Sequence, residues 1–321
     1  MKKIWSFGIA MLDVVTQPVH KWPETGGAEV TETTDLVIGG MALNTAATLA
    51  KLGKVDVGLI AAVGDDVGGR VVRAELETLG VDLSRLTIST TRPTGVAICC
   101  VHPGGERSMF LCFGANNELS PQTANLADFE HGDIFHVGGS MCIEKTSGKH
   151  LAAILQSVKG QGLLTSVDTM WDGTGKWWSL LEPCLPHTDI LLTNDDEARR
   201  YAGCEDIDEA ARKFLQGGPE TVIIKQGERG ATVFDDRWSG HVDILEVESR
   251  DATGAGDAFA GGLLLGLSYG WDIEQATLFG SAVGAQCVTA YGATTGIKSY
   301  EETVRFIQES GRGADWNWEL T

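Results

Sequence analysis

The stretch Asp251-Ala-Thr-Gly-Ala-Gly-Asp-Ala-Phe-Ala-Gly-Gly262 limits what this chain can fold into more than any other. It follows residues 240–247, where apolar and polar residues alternate as in a strand. It opens into an apolar run, 258–267, whose length suits a buried helix. The small residues Thr253-Gly254-Ala255-Gly256 between them let the backbone turn tightly and bring its N–H groups close to a ligand. A helix start has unpaired N–H groups and the positive end of the dipole, so the turn is an anion site. Asp257, in the first helical turn, can take a hydroxyl proton while the N–H groups hold charge on a transferred phosphoryl group. The plainer account of Asp257, a helix cap, stays open at this point.

The other landmarks lie at element ends. Residues 4–12 read as a first strand ending at Asp13, where a carboxylate either meets a ligand in an open α/β sheet or merely starts a turn. Gly39-Gly40 precedes an Ala- and Leu-rich helix that carries Asn44 one turn in and stops at Gly53. Residues 57–63 read as a strand and 70–79 as a helix. Residues 94–100 and 107–113 alternate as a hairpin. With the irregular stretch 14–34 they would form a small sheet, a candidate lid. Arg107 is the cation at its turn, either a substrate contact or a solvated turn residue. From Asp133 onward strands alternate with helices, which predicts a mostly parallel sheet covered on both faces. At one strand end Asn194 and Glu197 are three apart. They can face one site, reaching a Mg²⁺ through water, or form an ordinary capping box. The turn Lys225-Gln-Gly-Glu-Arg-Gly230 suits either the edge of a nucleotide or a plain hairpin.

The 321 residues suffice for one large domain or two modest ones, and the formal charge of −19 argues against nucleic acid and against an anionic membrane surface. Seven cysteines include no C-x₂-C pair, which favours free thiols in a reducing compartment. No signal-peptide pattern opens the chain and no run of 18 apolar residues occurs, so a soluble, cytoplasmic protein is expected. Trp316 and Trp318 in the tail 311–321 would be costly if exposed and are expected to dock. Trp171, Trp177 and Trp178 read as packing residues.

Taken together, these landmarks resemble the ribokinase-like (PfkB) carbohydrate kinase family over nearly the whole chain. Four motifs stand in order: Gly39-Gly40 with Asn44 and Ala61-Ala-Val-Gly-Asp-Asp66, Asn194-x-x-Glu197, Lys225-x-Gly-x-x-Gly230, and Asp251 to Asp257. The resemblance implies a ribokinase-like fold: residues 1–13, 36–91 and 114–310 as the main α/β domain, and 14–35 with 92–113 as a β lid. It also implies an ATP-dependent sugar kinase acting on a small carbohydrate or sugar acid; a homodimer through the lid is a separate expectation. By the same resemblance Asp257 is the base, and Gly254, Ala255 and Gly256 form the anion hole. Asp13, Gly39, Gly40 and Asn44 contact the sugar; Arg107 is a further candidate contact from its place in the hairpin turn, not from the resemblance. Asn194, Lys225, Gly227 and Gly230 serve ATP, with Gly254 and Gly256. Glu197 serves Mg²⁺, while Asp251, Thr253, Ala290 and Gly292 form a monovalent-cation site, often for K⁺. Ribokinase itself has a Lys after the diglycine where this chain has Met41, which points away from ribose. The alternatives are a nucleoside kinase of the same family and a non-catalytic sugar- or nucleotide-binding relative. A NAD-binding oxidoreductase would need a G-x-G-x-x-G after the first strand, and none is there.

Overall fold

The structure, a computed structural model, describes residues 2–103 and 107–320. Its centre is an eight-stranded sheet. Across it run, in spatial order, Gly240–Val242, Ala231–Asp235, Thr221–Lys225, Ile190–Asn194, Leu164–Asp168, Ile134–Gly138, Lys3–Gly8 and Asp56–Ile60. The strands from Thr221–Lys225 to Asp56–Ile60 are parallel, while the other two are antiparallel additions. Successive residues of a strand point to opposite faces, and the core divides accordingly. Ile4 and Ile134 join the cluster under the helices Met41–Leu52, Ala255–Ser268 and Ile273–Cys287. Trp5, Phe7, Phe135 and Val137 join the other cluster, under Lys149–Lys159 and Asp195–Ala202. The expected parallel sheet with helices on both faces is therefore present.

A separate four-stranded sheet, ordered Thr33–Gly39, Met11–Gln17, Gly95–Val101 and Arg107–Cys112, forms the lid. Its central pair is parallel and its outer pairs antiparallel. Here two expected boundaries are corrected. The first strand of the main sheet ends at Gly8, and Asp13 lies within a lid strand that starts at Met11; the neighbouring lid strand runs on to Gly39. At Gly8, φ is 141° and a Cβ would lie 2.0 Å from the Gly138 carbonyl oxygen, so the chain can leave the main sheet there only without a side chain. The expected strand 57–63 is likewise two pieces. Asp56–Ile60 stays in the main sheet, and Ala62–Gly64 pairs with Thr87–Ser89. The strand expected over 240–247 is confined to Gly240–Val242.

The tail docks as its tryptophans required. Trp318 is buried with its ring 5.2 Å from that of Trp271, and its Nε1 donates to the Gly313 carbonyl at 3.0 Å. No helix among the described residues is long and apolar enough to cross a membrane.

Candidate active site

The helix Ala255–Ser268 begins on Gly254, which is left-handed with φ 78°. A Cβ at Gly254 would lie 2.6 Å from the Cβ of Ala293, so this turn and the loop beyond Cys287 fit together only around a glycine. One turn further on, Asp257 is buried. The Asn44 side chain, from the helix Met41–Leu52, donates to its Oδ2 at 2.7 Å. Burial pushes the Asp257 carboxyl up to about 7; the nearby Asp168 and Asp13 carboxylates add to this, while Asn44 and Lys225 oppose it. A carboxyl so placed exchanges its proton near neutrality.

Asp13 approaches from the lid. Its Oδ2 sits so close over Gly39 that a Cβ there would lie 2.1 Å away, which is why a glycine stands at that position. Burial pushes Asp13 up to about 6. Gly40 caps the helix Met41–Leu52 at φ 98°, and a Cβ there would strike the Ile9 carbonyl at 2.6 Å. Asp13 Oδ1 and Asn44 Oδ1 are buried without a hydrogen-bond partner. A buried acceptor left unpaired costs roughly 1–3 kcal/mol, and a polyhydroxylated ligand would satisfy both. A cavity of about 560 Å³ opens beside Asp13, between the lid strands and the loops holding Asp251, Thr253 and Gly292.

On the other side of Asp257, Lys225 ends its strand with its ammonium donating to both carboxylate oxygens of buried Asp168, at 2.8 and 2.6 Å. The same Nζ would lie 3.1 Å from a Cβ on Gly256, so a positive charge stands at the helix start. Burial pushes the Asp168 carboxyl up and Lys225 acts against that. Asn194 caps the helix Asp195–Ala202 through its Oδ1, which accepts from the Glu197 amide at 2.8 Å. The capping role is therefore realised. Glu197 is buried and accepts from Thr169 Oγ1 at 2.6 Å; burial pushes its carboxyl up, and that hydroxyl lowers it. Gly227 and Gly230 both have positive φ in the turn beyond Lys225; above Gly227 there is open space, whereas Gly230 is pressed against the Val242 carbonyl.

Asp251 pins the turn from below. Its Oδ1 accepts from the amide and hydroxyl of Thr253 at 3.0 and 2.6 Å, and its Oδ2 from the Gly292 amide at 2.9 Å. Ala290 lies two residues earlier in the Gly292 loop. The structure thus gathers Asp13, Gly39, Gly40, Asn44 and Asp257 in one place, Lys225 with Gly256 in a second, and Asp251, Thr253 and Gly292 in a third. The Arg107 side chain lies outside the described residues. Asp168 and Thr169 were missed in the sequence. Asp168 ends a strand, the same signal that singled out Asp13, and applying that rule to every strand would have found it. Trp177 packs on Tyr201 and Trp178 stacks on Phe214, as expected, whereas Trp171 is 49% exposed.

Residues 1–299 match the pfkB family carbohydrate kinase profile. The chain is 30% identical to an ATP-dependent ribose-1-phosphate kinase of Halopiger xanaduensis, over 91% of this chain and 94% of the relative. It is 26% identical to the probable fructokinase-5 of Arabidopsis thaliana, over 96% and 98%. Among solved structures, the aminoimidazole riboside kinase of Salmonella enterica, complexed with aminoimidazole riboside and an ATP analog, superposes with a TM-score of 0.79 at 26% identity, covering 95% of this chain and 99% of that one.

Proposed function

The chain belongs to the pfkB family of carbohydrate kinases and is an ATP-dependent sugar kinase, and from that premise we propose a mechanism centred on Asp257. Asp257 takes the proton of an acceptor hydroxyl, the freed oxygen attacks the γ-phosphorus of ATP, and the bond to the ADP oxygen breaks. The amides following Gly254, with the Lys225 ammonium beside Gly256, hold the charge on the phosphoryl group in flight. The observation that carries this reading is the buried Asp257 carboxyl, pushed up to about 7 with only a neutral amide as partner, at the start of a 14-residue helix. Asp13, Asn44, Gly39 and Gly40 orient the acceptor, a small carbohydrate or sugar acid whose hydroxyls pair the two orphaned oxygens.

Mg²⁺ enters with ATP. Among the described residues no three His, Cys, Asp or Glu side chains form a cage, which suits an ion that keeps waters and phosphate oxygens, with Glu197 reached through water. Asp251, Thr253 and the carbonyls around Ala290 and Gly292 are an all-oxygen set suited to K⁺, which would supply fixed positive charge behind the turn. Asn194, Gly227 and Gly230 line the nucleotide's side. In one row across the lid's outer face, Leu36, Val14, Ile98 and Phe110, the side chains of Leu36, Ile98 and Phe110 are 62%, 42% and 59% exposed, which supports a homodimer through the lid. Free thiols at Cys100, Cys112, Cys142, Cys184, Cys204 and Cys287 support a reducing, cytoplasmic setting.

A nucleoside acceptor is the second reading. It is favoured by the apolar inner wall of the cavity, which Val15, Val37, Val101 and Met109 contribute from the lid. ADP release from Mg·ATP across ketoses, aldoses, sugar acids and nucleosides decides between the two. Asp257→Asn is expected to lower kcat roughly 10²–10⁴-fold on the active acceptor while ATP still binds. Near-wild-type turnover in that variant would remove Asp257 as the base.

A further inference from the structure

Asn44, which touches the Asp257 carboxylate, has a counterpart seven residues along the same helix. Seven residues make two turns, so Lys51 lies on the same face. Its ammonium donates to the Thr294 carbonyl at 2.6 Å across 243 residues of sequence. Thr294 belongs to the loop that closes the anion hole from behind. Gly292 of that loop donates to Asp251, whose other oxygen holds Thr253, and Ala293 is the residue that Gly254 leaves room for. The Cys287 thiol, donating to the Ala293 carbonyl at 3.1 Å, ties the loop to its own helix. Lys51 also lines a cleft of about 260 Å³ shared by Glu75, the loop and the lid strand Thr33–Gly39. A solvated helix-end lysine would satisfy the helix C-terminus and nothing more. This one is half-buried, and its bond goes to the loop.

We propose that Lys51 is a positioning residue for phosphoryl transfer. One helix then sets both partners of the reaction, the base through Asn44 and the anion hole through Lys51, Thr294, Gly292 and Asp251. The role rests on the phosphotransfer reading above, but its structural half can be measured without any acceptor. A static misplacement of about 1 Å at a reacting group can cost up to roughly a hundredfold, and the loop bears directly on Gly254.

The test compares wild type, Lys51→Met and Lys51→Arg by two readouts. Amide hydrogen exchange without substrate is expected to rise at least severalfold at 251–256 and 288–296 in Lys51→Met, with the rest of the chain unchanged. Steady-state ADP release, with the fastest acceptor found for the wild type, is expected to show kcat lowered roughly ten- to hundredfold and the KM for ATP held within about threefold. Lys51→Arg, which keeps the charge and a donor, restores most of both. Unchanged exchange at 251–256 overturns the proposal whatever kcat does, and so does a kcat within twofold of wild type. If the wild type phosphorylates nothing, the phosphotransfer reading falls, and the exchange result alone decides whether Lys51 orders the turn.

Discussion

Two buried aspartates flank the start of the helix Ala255–Ser268, and the chain treats them differently. Asp168, on the side proposed for the nucleotide, receives a lysine ammonium on both oxygens. Asp257, on the side proposed for the acceptor, receives one neutral amide, while its neighbours Asp13 and Asn44 each keep an unpaired oxygen. A buried carboxylate with a full counter-charge is spoken for. Its value is to place Lys225 beside Gly256, and its proton plays no part. A buried carboxyl with a neutral partner is left with a proton that can move, next to acceptors that only a ligand can satisfy. On the proposed reading, the protein itself finishes one half of the site and the substrate completes the other.

The contrast breaks most readily at Lys225. Lys225→Met leaves Asp168 charged and unpaired in the core, and removing one partner of a buried pair costs about 3–5 kcal/mol. Urea denaturation should show an unfolding free energy lower by that order, and Asp168→Asn in the same chain should recover most of it. A loss no greater than that of a surface lysine would mean that Asp168 is not held by charge, and the two aspartates would then be alike.

A second measurement sharpens the difference through pH. The folded Asp257 carboxyl, raised from 3.8 to about 7, binds its proton more tightly than it does in the unfolded chain. Its contribution to stability is therefore complete below about pH 3.8 and lost as pH rises to about 7. Asp257→Asn escapes that loss, so its stability relative to wild type should grow between about pH 4 and pH 7 and level off above. The gain is at most roughly 4 kcal/mol at about 1.4 kcal/mol per unit. Wild-type kcat/KM should move the other way, rising through about pH 7 as the base ionises. A stability gap that stays flat with pH would give Asp257 an ordinary carboxyl and remove the contrast.

Much of this was legible in the sequence because it is local. A Gly-rich turn between a strand and a helix, a diglycine before a helix and an Asn three residues ahead of a Glu are each written within a dozen residues. Their order along the chain carried the family resemblance. What failed to show was decided by distant partners. Asp168 meets Lys225 across 57 residues, Lys51 meets Thr294 across 243, and neither pair leaves a periodic trace. The break inside residues 4–12 was hidden for another reason. Both the main sheet and the lid's base are buried there, so apolarity runs on without interruption while the backbone, at Gly8, changes sheets.

The smallest expected effect is at Gly39, and it separates the two halves most cleanly. Gly39→Ala places a Cβ 2.1 Å from Asp13 Oδ2. Gly39 itself is not at positive φ, so the backbone tolerates alanine and the whole cost falls on the contact with Asp13. Displacing a packed group in this way costs about 1–3 kcal/mol. The carboxylate can yield only toward the cavity it lines, where the acceptor would bind. The KM for the acceptor should therefore rise roughly tenfold, one factor of ten for each 1.4 kcal/mol. The KM for ATP should stay within about twofold, because Lys225, Asn194 and Gly227 are carried by strand ends on the other side of the helix start. The reverse result, with ATP weakened and the acceptor untouched, would put Asp13 on the nucleotide's side, and the division of labour between the two aspartates would have to be drawn elsewhere.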